Sequence, residues 1–196
     1  FVAYDSFLDN PGGNGVAQPY DELDSYWREF NRIFIVLYPP NREARLMELL
    51  DEHANPQHAA EIAFEVAQTE VRADQSDAYA WFNMGTSLNA LGRYEEAAAA
   101  FDRSFNQDEQ NALPFRILWY QFGPYEAYYN VGRHGDVLSL TESNITTSTN
   151  NVEELQYWRG RSLQALGNTE QARSAFSRAI SLNRNYQAPR TALDSL

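Results

Sequence analysis

The chain is 196 residues long and carries 27 acidic against 15 basic side chains, a net charge of −12, so most of its surface repels nucleic acid and anionic membranes. Its 43% hydrophobic content is ordinary for a folded protein and excludes wholesale disorder. Cysteine and lysine are both absent, which excludes disulfides, thiolate nucleophiles, zinc–thiolate sites, lysine-dependent phosphate loops and Schiff-base chemistry. No apolar stretch is long enough to span a bilayer, and the first residues carry no leader pattern. The three histidines are His53, His58 and His134; the first two flank a proline turn with no third ligand in register, so no metal or cofactor is expected.

The first forty residues stand apart from the rest. FVAY (1–4) and IFIVLY (33–38) are rich in aromatic and branched residues, which predicts strands. Between them lie a Gly/Asn/Pro loop at 10–19 and a helical pattern, DELDSYWREFN, at 21–31; Pro39-Pro40 closes the segment. Two strands and one helix are too little for an independent core. Their edges, with Phe1, Val2, Tyr4, Ile33, Ile35 and Leu37, are therefore expected to pair with something outside the segment.

From residue 41 the pattern is helical. NREARLMELLDEH (41–53) and HAAEIAFEVAQTEVRA (58–73) predict a helix pair around Asn55-Pro56, with apolar stripes from Leu46, Leu49, Leu50, Ile62, Val66 and Val71. In 77–111, Asp77 predicts an N-cap, and Trp81, Met84, Leu88 and Leu91 recur at spacings of three and four. Gly92 suits the left-handed residue that ends a helix, and Tyr94, Ala97, Ala98, Phe101 and Phe105 then share the face of a second helix. A weaker copy spans about 118–151, with Tyr125 where the first copy has Gly85 and Gly132-Arg133-His134 echoing Gly92-Arg93-Tyr94. Gly85, Leu88, Gly92, Ala97 and Phe101 return as Gly160, Leu163, Gly167, Ala172 and Phe176, each 75 residues later. A short helix at 186–196 is expected to cap the end, because a solenoid's last repeat otherwise leaves an apolar face bare. The polar run 144–151 reads as a loop and contains the glycosylation sequon Asn144-Ile145-Thr146.

Trp81, Gly85, Tyr94, Ala97 and Phe101, counted from Ala78, resemble the tetratricopeptide repeat, a helix–turn–helix unit of 34 residues. The copy at 153–186 keeps the pattern but carries Gln156 at the tryptophan position and Arg184 at the usual proline. The expected fold class is thus mainly α, and the resemblance implies a right-handed superhelical solenoid over 41–196, preceded by a strand–loop–helix–strand segment at 1–40. The order FVAYDS, loop, DELDSYWREFN, IFIVLYPP resembles the C-terminal end of bacterial C39-like, papain-like cysteine peptidase domains, some of which are followed by tetratricopeptide repeats. Asp5 matches the family's histidine-orienting Asp, but Asp alone only orients, and the chain has no Cys. The chain itself is accordingly not expected to be an enzyme. The resemblance leads to the expectation of an extracytoplasmic or secreted protein, a compartment in which the missing cysteines cost nothing.

The segment LWYQFGPYEAYY (118–129) holds more aromatics than one helical stripe buries. In a tetratricopeptide array the first helix of each repeat lines a concave groove, and by register that face here offers Tyr79, Phe82, Asn89, Trp119, Phe122, Glu126, Tyr129, Tyr157 and Arg161. Phe82 and Thr86 occupy positions that the basic clamp for a chaperone's C-terminal carboxylate would need, which disfavours that client. The expected function is non-catalytic protein interaction and assembly, with protein partners that include other copies of the chain. The orphan strands would act as a head-to-tail arm that builds an oligomer or filament. Two alternatives stand beside it: the substrate-positioning part of a secreted C39-like peptidase, and a groove that binds a peptide or glycan through Trp119 and Tyr129.

Overall fold

The computed structural model describes residues 2–3, 16–17, 19–147 and 150–196, and divides the chain into two units, Phe1–Ala59 and Ala60–Leu196. The expected boundary after residue 40 is not where the structure divides. The new boundary assigns the two helices of the expected 41–76 pair to different units.

In the first unit, β1 (Val2–Ala3) pairs antiparallel with β2 (Val16–Ala17), Val2 opposite Ala17 and Ala3 opposite Val16. The expected strand at 1–4 is thus in part present, and its partner comes from the segment read as a loop. Helix α1 (Tyr20–Arg28) ends three residues earlier than the pattern predicts. Asn31 and Arg32 both adopt positive φ, of 51° and 52°, and turn the chain back so that Arg32 forms a bidentate pair with Asp24 at 2.7 and 3.0 Å. The Trp27 indole N–H donates to the Ile33 carbonyl at 2.7 Å, and its ring meets Phe34 edge-on at 6.2 Å.

The expected second strand at 33–38 is corrected: these residues belong to no sheet. Branched and aromatic side chains favour extended backbone, but a strand needs a neighbour for its ladder, and β1 has taken β2. The side chains from Ile33 to Tyr38 are all exposed, Ile35 to 87% and Leu37 to 92%. A 3₁₀ turn, α2 (Glu43–Leu50) and a second 3₁₀ turn follow; Leu46 is buried, whereas Leu49 lies outside the expected stripe, in solvent.

Helix α3 (Pro56–Ala73) crosses into the second unit, where Ala67 and Val71 are buried and Val66 is exposed. Three hairpins follow: α4 (Ala78–Ala90) with α5 (Tyr94–Phe105), α6 (Gly123–Asn130) with α7 (His134–Thr147), and α8 (Glu153–Ala165) with α9 (Thr169–Leu182). The expected capping helix is α10 (Gln187–Asp194). Asp77 caps α4 as predicted, accepting from the Ala80 N–H at 3.1 Å. Each hairpin turns on a glycine with φ between 72° and 78°: Gly92, Gly132 and Gly167. The residue after each donates back five positions, Arg93 to Leu88, Arg133 to Tyr128 and Asn168 to Leu163, at 2.8–2.9 Å, which satisfies carbonyls left open at the helix end. The degenerate middle copy therefore keeps the turn.

Within a hairpin, the second helix crosses close over a glycine. A Cβ on Gly85 would lie 2.8 Å from the Phe101 ring, and one on Gly160 would lie 2.5 Å from Phe176. Phe101 and Phe176 are fully buried. The middle copy reverses the sizes: Tyr125 stands at the glycine position and Thr141, sixteen residues on, at the phenylalanine position, both without exposure. A large residue on α6 and a small one on α7 fill the space that a small and a large one fill elsewhere.

Successive first helices approach one another, α4 with α6, α6 with α8 and α8 with α10, while each second helix packs against the first helices on either side. That arrangement places the first helices on the inner face of the array. Helix α6 is only eight residues long against thirteen for α4 and α8, because a 3₁₀ turn (Phe115–Trp119) precedes it and Pro124 fits only the first turn of a helix. The expected start of that helix at 118 is corrected accordingly. The predicted loop at 144–151 is also shorter, since α7 continues to Thr147.

The reversed pair yields a test. Thr141→Phe alone should destabilise the fold by about 1–3 kcal/mol through overpacking, and Tyr125→Gly by more than about 3 kcal/mol through a cavity. The double variant should recover at least about 1 kcal/mol of that sum. Strictly additive losses in denaturant unfolding would show that the two positions do not share one space.

Candidate protein-binding face

The nine residues placed on the groove by register separate into two groups. Phe82 is a core residue: it is 2% exposed and meets Phe101 and Phe105 edge-on at 5.1 and 6.3 Å. Its assignment to the groove is corrected, because of the neighbours Trp81 and Phe82 it is Phe82 that points between α4 and α5. Tyr79 and Phe122 are half-buried against the same core. Trp119 stands on the 3₁₀ turn rather than on a first helix, half-buried, with the Arg116 guanidinium 5.7 Å from its ring centre. Most of the aromatic excess at 118–129 thus goes into packing, Tyr125 and Tyr128 being buried, with Tyr120 left in solvent.

The other five residues form two polar bridges between first helices. Asn89 on α4 donates from Nδ2 to Glu126 Oε2 on α6 at 2.8 Å. Asn89 is buried, and its Oδ1 has no hydrogen-bond partner among the described residues. Thr86, Gly92, Tyr94 and Gly123 complete an open cleft of about 560 Å³ around this pair. One turn further along α6, Tyr129 meets Arg161 of α8. Arg161 donates from Nη2 to Tyr129 Oη and from Nη1 to Tyr157 Oη, both at 2.9 Å, and its guanidinium carbon lies 4.6 Å from the Tyr129 ring centre. A second cleft, also about 560 Å³, opens between this cluster and Gln164, Thr191 and Ser195, where Gln164 Nε2 donates to Ser195 Oγ at 3.3 Å. Burial alone would lower the Arg161 pKa, but the two phenol oxygens outweigh it and hold it above its ordinary value.

A third cluster, between α5, α6 and the α6–α7 turn, is closed. Arg133 donates to both Asp102 oxygens at 2.7 and 3.0 Å and from Nε to Asp136 at 2.6 Å, and lies 4.2 Å from the Tyr128 ring centre. The Tyr128 hydroxyl donates to Asp102 Oδ1 at 2.7 Å. Burial, the largest influence, pushes the Asp102 carboxyl up; the hydrogen bonds from Arg133 and Tyr128 overcome it and hold the group below its ordinary value. Burial and the bond to Asp102 both push the Tyr128 phenol up. Sequence reasoning missed this cluster. The one signal for it is the Gly132-Arg133 turn with an acid three residues on, the arrangement that pairs Arg93 with Glu96 after Gly92.

Asn144 offers no glycosylation site in the folded protein. It lies within α7, is 5% exposed, and donates from Nδ2 to Tyr125 Oη and the Leu140 carbonyl. On the expected assembly arm, Ile33, Ile35 and Leu37 are exposed and Val2 lies in β1, while Phe1, Tyr4 and the peptidase-like Asp5 fall outside the described residues. No described helix is long and apolar enough to cross a membrane.

With that geometry in place, residues 78–111 and 153–186 each match the tetratricopeptide repeat family. Both segments are similar to that repeat. They supply α4–α5 and α8–α9, and the unit that contains them is a helical solenoid of that type, interrupted by the divergent α6–α7 hairpin. A solved structure described as "MamA RS-1 ArsTM double mutant" is similar over 76% of this chain and 80% of its own, with a TM-score of 0.59 and 18% identity, which shows a shared fold. No curated protein matches the sequence. Both family matches are to a repeat of the protein-interaction kind, and neither reaches residues 1–40, where the peptidase resemblance lies.

The Asp102 cluster leads to a prediction about the acid limb of stability. Asp102 has its pKa depressed from 3.8 by folding, so its contribution is complete above that value and is lost as the pH falls through the lower folded value. Asp102→Asn should lower the melting temperature at neutral pH and flatten the fall in stability between about pH 5 and about pH 2. An unchanged acid limb would place its origin in other carboxylates.

Proposed function

We propose that the chain is a non-catalytic protein-interaction scaffold whose first-helix face holds an extended segment of a partner. One observation carries this reading. The Asn89–Glu126 and Tyr129–Arg161–Tyr157 bridges present polar groups in adjacent open clefts along α4, α6 and α8. Grooves that bind peptides combine aromatic walls with a few polar groups of this kind. Selection of random displayed peptides against the chain tests it. Enriched peptides should perturb nuclear magnetic resonance signals of Asn89, Glu126, Tyr157 and Arg161; perturbation confined to α5, α7 and α9, or no enrichment, would sink the reading.

A second interface is favoured by the exposed apolar run at 33–38. The run lies outside any sheet with all six side chains exposed, and its branched and aromatic residues suit a segment that adds to the edge of another sheet. Another copy of the chain is the proposed acceptor, in a head-to-tail arrangement that grows unless the rotation closes. The double variant Ile35→Lys, Leu37→Lys should reduce the solution mass to that of one chain by light scattering. A wild-type protein that already runs as a single chain, or a variant of unchanged mass, would remove self-assembly through this segment.

A further inference from the structure

We propose that the pocket where the C-terminal ends of α3 and α5 meet the first turn of α4 binds a phosphate group, free or as a monoester, between the guanidiniums of Arg72 and Arg103. The pocket has a volume of about 230 Å³ and is lined by Val71, Arg72, Gln75, Trp81, Arg103 and Gln107. It shares no lining residue with either cleft of the first-helix face.

Two cations share this small space, and the chain supplies neither with a carboxylate. Arg93 and Arg133, at the hairpin turns, are both neutralised by acids of this chain. Among the described residues, Arg72 donates only to the neutral Gln68 Oε1, and Arg103 has no hydrogen bond or ion pair. This occurs in a protein where acids outnumber bases by 27 to 15. The acids of the α3–α4 turn are engaged locally. Asp74 accepts from the Ser76 N–H and hydroxyl at 2.8 and 2.6 Å, and Asp77 accepts from the Ala80 N–H at 3.1 Å. Arg72 and Arg103 both stand in the last turn of their helices, where the open carbonyls amount to about half a negative charge per helix end. That offsets the guanidiniums only in part. Holding two like charges at one cavity costs free energy, which an anion between them recovers.

The frame of the pocket is tied together. The Gln75 carbonyl accepts from the Trp81 indole N–H at 2.9 Å and from Gln107 Nε2 at 3.4 Å, and Gln107 Nε2 also donates to the Arg103 carbonyl at 2.9 Å. These bonds join the turn after α3 to α4 and to the end of α5, so the helix ends that carry the two arginines keep their spacing. Guanidiniums from two separate helices suit a tetrahedral anion, whose oxygens point to several sides. A carboxylate presents two oxygens in one plane and is served by a single guanidinium. With its Nε2 committed, Gln107 keeps Oε1 as an acceptor for a protonated phosphate oxygen. Val71 and the Trp81 ring give the pocket an apolar side, which suits the organic part of a monoester.

Nuclear magnetic resonance titration at about pH 7.5, where phosphate is mainly doubly charged, provides the test. The probes are inorganic phosphate, phenyl phosphate and acetate at matched ionic strength. Phosphate and phenyl phosphate should shift the Trp81 indole signal and the side-chain amide signals of Gln75 and Gln107 saturably. Acetate should bind at least about tenfold more weakly. Arg72→Gln and Arg103→Gln, both at exposed positions, should each weaken phosphate binding by about tenfold or more, the loss expected when one charge-assisted contact is removed. The comparison of probes leaves the protein untouched, so a folding defect in a variant cannot produce the first result. Tighter binding of phenyl phosphate than of inorganic phosphate identifies a monoester as the ligand class; equal or weaker binding identifies the free ion. Acetate binding as tightly as phosphate, no saturable shift at Trp81, Gln75 and Gln107, or an unchanged phosphate affinity in either variant would overturn the site.

Discussion

The ring of Phe101 fills a slot between two stretches of backbone that carry no side chain. A Cβ on Gly85 would come within 2.8 Å of it, and one on Gly123, at the start of the next hairpin, within 3.0 Å. One ring therefore sets two distances, that between α4 and α5 and that between α5 and α6. Since α5 is the spacer on which α4 and α6 both rest, the slot also sets how near the two first helices come. The Asn89–Glu126 bond at 2.8 Å depends on that approach.

The middle hairpin shows which part of the repeat pattern is a requirement and which is one solution among several. The left-handed glycine is kept at Gly132 with φ 76°, because the turn geometry admits little else. The glycine–phenylalanine contact is replaced by Tyr125 with Thr141, because a packed space needs the right volume and not a particular owner of it. Tyr125 then gains a hydrogen bond from Asn144, which satisfies its buried hydroxyl and draws the sequon asparagine into the interior. The same substitution that makes this copy hard to recognise is what removes Asn144 from the surface.

Much of the solenoid was legible in the sequence because its determinants are local. The Asp77 cap, the three turn glycines and the Gly–Phe register each depend on residues within one hairpin. The errors have a common physical source in partners distant along the chain or absent from it. Strand propensity at 33–38 reports what the side chains prefer and not whether an edge is available. Helical register placed Phe82 and Trp119 on the groove, since it cannot tell which of two adjacent aromatics turns inward, or that Pro124 delays α6. The Arg133 cluster needed Asp102, 31 residues away, and no periodicity points to it. Asn89, Glu126, Tyr129, Tyr157 and Arg161 lie along neighbouring first helices because the repeat itself carries each first helix to the same face.

The two sides of the array differ in how completely their polar groups are satisfied. Around Asp102, every charge has a partner: Arg133 is shared by two carboxylates, and Tyr128 and Arg133 both serve Asp102. Such a cluster holds α5, α6 and α7 in one arrangement and has nothing left to offer a ligand. On the first-helix face, Asn89 Oδ1 is buried without a partner among the described residues, and Arg161 spends its hydrogen bonds on phenols. An unsatisfied buried acceptor costs about 1–3 kcal/mol. The fold tolerates that cost where the closed cluster and the Phe101 slot already fix the helices. Because the same bridges hold Asn89, Glu126 and Arg161 in position, little side-chain entropy remains to be lost when a partner's groups complete them.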